Sequence, residues 1–204
     1  MVLDREEELS SGDMLMIVKN NYFWTEKEKK ESGEGSAGAI PAFLANGDRA
    51  KVLRVSNYIE LYGFRFATLL LQLPDYDDYE MQVTGMLDTL QSEAPALTHE
   101  QQEELFRQVE EDYQHFVPLK ADRMKSIRQD AYFNALQIKY AYAVTCHKAQ
   151  GGQWAHVYVD QGYMTDDMLT PDYIHWLYTA FTRATDKLFL VNWPKEQTCE
   201  PTDL

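Results

Sequence analysis

Cysteine is scarce in this sequence: 204 residues hold only two, Cys146 and Cys199. Two thiols cannot build a disulfide framework for a chain of this length, so a reducing compartment is the expectation. Long apolar runs are also missing. The longest, such as Met14 to Val18, fall far short of the ~20 residues a membrane helix needs, and no basic-then-apolar pattern marks the N-terminus as a secretory signal. A soluble, cytoplasmic protein with no membrane partner is expected. Basic residues are few, with 19 Lys and Arg against 33 Asp and Glu for a formal charge of -14. Taken over the whole chain, that excess argues against nucleic acid, whose phosphates call for a basic surface. The charge is unevenly spread, however. Residues 138–195 balance Lys139, Lys148, Arg183, Lys187 and Lys195 against Asp160, Asp166, Asp167, Asp172 and Asp186, and the acidity lies mainly in 1–137.

What is present can fill a core: 45% of the residues are apolar and 13% aromatic, enough for one medium domain or two small ones. Met14 to Val18 reads as a buried strand. Residues 24–42 are Glu/Lys-rich and then Gly/Ser-rich, with little to bury, and are expected to be a mobile loop. Within them Gly33-Glu34-Gly35-Ser36-Ala37-Gly38 matches G-x-G-x-x-G, but no strand precedes it and Ile40-Pro41 follows, so a dinucleotide site is not expected. Strand-like segments at 49–55, 58–62, 64–73 and 79–84, parted by Asn57, Gly63 and Asp75–Asp78, point to a small β-barrel. Thr98-x-x-Gln101 is a capping box, and Leu105, Phe106, Val109, Tyr113 and Phe116 recur at helical spacing. A second helix at about 120–130 carries Lys120, Arg123, Lys125 and Arg128, better read as a solvated face than as a phosphate surface. The expected domains are therefore 1–136, barrel-like with a helical insert at 98–130; 137–195, an α/β layer; and 196–204, a tail.

In that α/β layer, strands are expected at 138–145, 156–159 and 188–191, with a helix at about 172–184. Three strands and one helix are few for a sheet, which suggests half of a domain whose other half lies upstream. Thr145-Cys146-His147-Lys148-Ala149-Gln150-Gly151-Gly152-Gln153-Trp154 ends the first strand in a glycine turn. Glycines let backbone N–H groups approach an anion, and Thr, His, Lys and Gln add side-chain donors. Trp176-Leu177-Tyr178-Thr179-Ala180-Phe181-Thr182-Arg183-Ala184 falls late in the helix, where an Arg can reach toward a neighbouring lobe. Plainer readings exist for several of these residues. In an extended segment Cys146 and His147 point to opposite sides, so a nucleophilic dyad is not expected. His147, His156, His175 and Cys146 lack metal-ligand spacing, so no metal site is expected. Tyr178 and Phe181 read as core.

Together, in this order and about thirty residues apart, the two segments resemble motifs V and VI of superfamily 1 helicases, particularly the RecD-like branch. The family patterns T-x-H-K-x-Q-G-x-E-[FW] and Y-T-A-x-T-R-A are reproduced almost throughout, with Gln153 standing where the family usually has Glu. The resemblance implies the motif V and VI half of a RecA-like (P-loop NTPase) second lobe, preceded by the small barrel. It implies that Thr145, His147, Lys148 and Thr182 face single-stranded DNA and that Gln150, Gly151 and Gln153 lie nearer ATP. Arg183 corresponds to the arginine finger that stabilises charge on the γ-phosphate. Lysine has no planar fork with which to replace it.

The phosphate loop G-x-x-x-x-G-K-[ST] is missing, since none of the ten glycines is followed by Lys, and no acidic pair after a strand reads as Walker B. ATP and Mg2+ are thus expected only in a complete parent helicase, between this lobe and an upstream RecA-like lobe carrying the Walker motifs. The chain alone is expected to hold neither and to be inactive as an ATPase. The competing expectation is a stand-alone, non-catalytic protein-interaction or weak nucleic-acid-binding module derived from such a lobe.

Overall fold

Alternation along Phe64–Leu73 sends Ala67, Leu69, Leu71 and Leu73 to one face and Phe64 and Phe66 to the other, all buried, because successive side chains of a strand point to opposite sides and this one is covered on both. In the computed structural model, which describes residues 7–32, 40–194 and 197–198, this segment is β3 of a closed five-stranded barrel. The other strands are β1 (Met14–Ile17), β2 (Arg49–Leu61), β4 (Tyr79–Met86) and β5 (Leu136–Tyr140). Neighbouring strands are antiparallel except β4 and β5, which run parallel. Leu69 opposite Val83 and Leu71 opposite Met81 knit β3 to β4 across the interior. Gly85 is required there, because a Cβ would lie 2.4 Å from the Leu69 Cδ1 atom.

Several expectations are corrected in this unit, Met1–Tyr142. The two strands expected at 49–55 and 58–62 are one, with a register shift between Ser56 and Ile59 and Asn57 at φ 49°. Asparagine tolerates that left-handed conformation, so the chain bulges instead of turning back. The turn comes at Tyr62-Gly63, both at positive φ, with Leu61 paired to Phe64, the two-residue hairpin geometry that matches strand twist. The Tyr62 hydroxyl donates to Asp112 Oδ2 at 3.0 Å.

Residues 24–32 are not a loop. Helix α1 spans Phe23–Ser32, anchored where the composition looked polar by a single aromatic: Trp24 is buried and its Nε1 donates to the Asn134 carbonyl at 2.9 Å. The Thr25 hydroxyl adds bonds to the Tyr22 and Ala42 carbonyls. The glycine-rich stretch 33–38 lies outside the described residues.

Two helices occupy the connection that a parallel β4–β5 pair demands. Helix α2 (His99–Gln114) opens with the expected capping box, Thr98 Oγ1 accepting from the Gln101 backbone and Gln101 Oε1 from that of Thr98. Leu105 and Val109 are buried against Phe66, whereas Phe116 falls beyond the helix end and is 77% exposed. Helix α3 covers Lys120–Arg128. Its Arg123 is buried, donating to the Val117 and Pro118 carbonyls beside Glu110, so it belongs neither to a solvated face nor to a phosphate surface.

The strand expected at 138–145 starts at Leu136, ends at Tyr140, and closes the barrel by pairing with β1 and β4. Thus it does not open the α/β layer. In the second unit, Ala143–Leu204, β6 (Trp154–Asp160), α4 (Pro171–Phe181) and β7 (Ala184–Val191) form a β-α-β crossover with a two-stranded parallel sheet. No helix among the described residues is long and apolar enough to cross a membrane.

The barrel contains a pH-sensitive contact. The Tyr76 hydroxyl donates to Asp48 Oδ2 at 2.7 Å, and burial, reinforced by that carboxylate, pushes its phenol up to about 12 from the usual 10.0. Because the folded state holds the proton more tightly, this contribution to stability is complete below pH 10 and is lost as pH rises toward 12. The phenols of Tyr58, Tyr62, Tyr79 and Tyr113 are raised in the same direction. Melting temperature is expected to fall across this alkaline window, and less steeply in Tyr76→Phe; parallel pH curves for the two proteins would contradict the assignment.

Candidate functional site

From Thr145 to Gly152 the chain winds instead of extending. The Ala149 N–H is shared between the carbonyls of Thr145 and Cys146, and those of Gln150 and Gly152 reach back to His147 and Ala149. Gly151, at φ +89°, lets the winding reverse where an L side chain is strained. The expectation of an extended segment is corrected, and with it the argument that Cys146 and His147 point apart. The cysteine is inert on other grounds: half-buried, it donates to the Trp176 carbonyl at 3.5 Å, and burial raises its thiol pKa despite the nearby Arg183, which keeps it protonated.

The two motif-like segments meet at the starts of β6 and β7. Trp154 pairs with Ala184, and the Trp154 N–H donates to the Arg183 carbonyl at 2.9 Å. The Arg183 side chain supplies a second clasp. Its Nη1 donates to the Gly152 carbonyl, Nε to Thr179 and Nη2 to the Thr182 hydroxyl, each at 2.9 Å. A guanidinium suits this role because its planar fork serves three acceptors at fixed angles. Gly152 must be glycine for the Trp154 ring to lie where it does, since a Cβ would come within 2.4 Å of that ring.

Residues 140–191 match the family model of the UvrD-like helicase C-terminal domain. That segment is thus similar to the C-terminal domain of UvrD-like helicases. Within the matched segment lie the wound turn, β6, α4 and β7. Among solved structures the chain is similar to the Pif1 helicase from Candida albicans, at 14% identity and TM-score 0.39 over 92% of this chain and 33% of that one. It therefore spans about a third of that helicase's length. No curated protein matches the chain.

The expected site residues of the matched segment divide into three groups. His147 and Gln150 lie on a cleft of about 710 Å³, with Cys146 and Thr179 also on its wall. Thr145, Lys148, Gly151 and Gln153 are exposed on the turn. The Thr182 hydroxyl donates to the Tyr178 carbonyl at 2.7 Å and accepts from Arg183. Arg183, expected late in the helix and reaching outward, follows the helix end and folds back on its own unit. Tyr178 is also corrected, being 72% exposed instead of core, while Phe181 is half-buried beside Trp193 at 5.6 Å between ring centroids.

Gly152, Gln161, Tyr173 and Trp176 escaped the sequence reading. Only Gly152 carried a signal, as the second glycine of a pair, while Gln161 reads as an ordinary polar residue after a strand. Among the described residues no three His, Cys, Asp or Glu side chains gather to hold a metal ion.

Proposed function

We propose that the chain is the C-terminal part of a RecD-like, ATP-dependent DNA helicase that translocates on single-stranded DNA and unwinds duplex, with the β-α-β unit forming the motif V and VI half of a RecA-like lobe. The observation that carries this reading is the clasp between Arg183 and Gly152, because it ties the proposed nucleotide-facing arginine to the turn proposed to grip DNA. Support for a lobe completed elsewhere comes from the sheet itself. Tyr158 and Phe189 stack at 4.5 Å on strands whose side chains are mostly exposed, an aromatic pair that a complete α/β layer would cover.

In this mechanism the upstream lobe carries the Walker motifs and holds ATP and Mg2+, the metal neutralising the phosphates when bound. The donor set of this chain fits the far side of such a site: Arg183 for phosphate oxygens, with Gln150, Gly151 and Gln153 on the adjoining turn. To reach a γ-phosphate, Arg183 exchanges the Gly152 carbonyl for a charged acceptor, a stronger partner for a guanidinium. Releasing Gly152 frees the turn, so the grip of Thr145, His147 and Lys148 on the DNA backbone shifts as the arginine engages. Coupling of this kind needs two arrangements of one element, each favoured by a different ligand.

The DNA half of this reading is testable on the chain itself. Binding of a labelled single-stranded oligonucleotide, followed by fluorescence anisotropy, is expected to weaken with salt. Lys148→Ala is expected to reduce the log–log salt slope by ~0.7, the release expected from one single-strand phosphate contact. Thr145→Val is expected to lower affinity at every salt concentration through a lost backbone contact. Salt-independent binding, or none, would leave the non-catalytic interaction module as the better description.

A further inference from the structure

One residue on the wall of the cleft beside the wound turn, Gln161, carries an unmet hydrogen-bond acceptor. Gln161 is only 8% exposed. Its Nε2 donates to the Tyr173 hydroxyl at 2.5 Å and to Gln197 Oε1 at 2.9 Å, which uses both of its N–H groups. Its Oε1 is buried and has no partner among the described residues. Buried acceptors are nearly always satisfied, and an exception in a cavity wall marks a place where a donor belongs.

The rest of the wall narrows the chemistry of that donor. Tyr173 and Trp176, one turn apart on α4, stack with centroids 5.8 Å apart and planes 13° from parallel, and both line the cleft. Met164 and Met168 also line it, and thioethers adapt readily to a flat guest. Among the described residues Asp172 is the one carboxylate on the wall, 3.9 Å from His175, and no Lys or Arg lines it to hold a phosphate. A volume of about 710 Å³ is ample for one nucleobase with its sugar. His147 and Gln150, on the same wall, are placed to receive the attached backbone.

We propose that this cleft is a nucleobase subsite for single-stranded nucleic acid, in which an unpaired base lies against the Tyr173–Trp176 pair and its exocyclic amino group donates to Gln161 Oε1. The inference rests on the proposed contact between the turn and single-stranded DNA, and adds a preference to it. Unpaired bases expose both a π-face and their pairing edge, the two features the cleft answers. Cytosine presents an amino group where thymine presents a carbonyl oxygen, which Gln161 Oε1 repels. Gln161 is thus a specificity-determining residue and Trp176 a stacking platform.

The test compares labelled oligo-dC and oligo-dT of equal length, bound to the 204-residue chain at one salt concentration. Oligo-dC is expected to bind about three- to tenfold more tightly, the scale of one hydrogen bond made or left unmet. Gln161→Met, similar in length but lacking the amide, is expected to erase that preference, and Trp176→Leu to weaken both oligomers. The comparison in the unaltered chain does not depend on how either variant folds. Equal binding of the two oligomers, with Lys148→Ala still reducing the salt slope, would overturn the subsite and leave the helicase reading intact. Binding of neither would overturn both.

Discussion

Arg183→Ala, placed in a full-length helicase carrying this segment, is expected to lower ATP turnover by roughly 10³-fold or more while leaving ATP binding largely intact, as loss of an arginine finger does. The expectation has a structural complication that the experiment must separate. The Arg183 guanidinium already serves Gly152, Thr179 and Thr182, so alanine also breaks the clasp between the turn and α4, at about 0.5–1.5 kcal/mol for each bond lost. Arg183→Lys distinguishes the two roles. It keeps the charge and can still reach one carbonyl, yet lacks the fork. A turnover defect in both variants, with melting temperature lowered chiefly in the alanine protein, is the finger's signature. Unchanged turnover in Arg183→Ala would remove the residue from catalysis and leave it a purely structural clasp.

The largest expected effect on stability belongs to Phe66→Ala. Phe66 is fully buried, packs edge-on against Tyr132 at 5.2 Å, and lies in the cluster that joins the barrel to Leu105, Val109 and Ile127 of the two helices. Emptying such a site costs about 3–5 kcal/mol, which in a unit of this size lowers the melting temperature by on the order of 10 °C. Phe116→Ala is the matched control, because Phe116 is 77% exposed and surface truncations usually stay within about 0.5 kcal/mol. Calorimetry on the two variants reads the difference directly. Similar melting temperatures would mean that the helices do not dock through Phe66.

These residues also illustrate what is legible in sequence alone. Phe66 lies on a strand whose Leu69, Leu71 and Leu73 alternate and Thr98 in a capping box, and such local patterns predict the barrel strands, the start of α2 and the extent of α3. Trp24 is illegible because one buried ring anchors a helix whose other residues look solvated, and periodicity cannot weigh a single contact. Leu136–Tyr140 reads into the wrong layer for a different reason. Its apolar pattern suits either sheet, and only its pairing with β1 and β4 decides between them. At the candidate site, the motif-like order of residues is plain in the sequence. The clasp of Arg183 on Gly152 and the bonds from Gln161 to Tyr173 and Gln197 join segments whose meeting sequence spacing does not encode.

The parallel joint between β4 and β5 has a consequence for how the protein is made. Strands β2, β3 and β4 follow one another through short turns and can zip together as they leave the ribosome. Strand β1 pairs with both β2 and β5, and its second partner emerges more than a hundred residues after it. Until then the nascent barrel has an open seam, with unpaired backbone on β1 and β4 available to any passing strand. Closing a loop of that length is slow compared with forming hairpins. Helices α2 and α3, synthesised within that interval, can cover Phe66 before the last stave arrives, making them an early shield for a vessel that is sealed late.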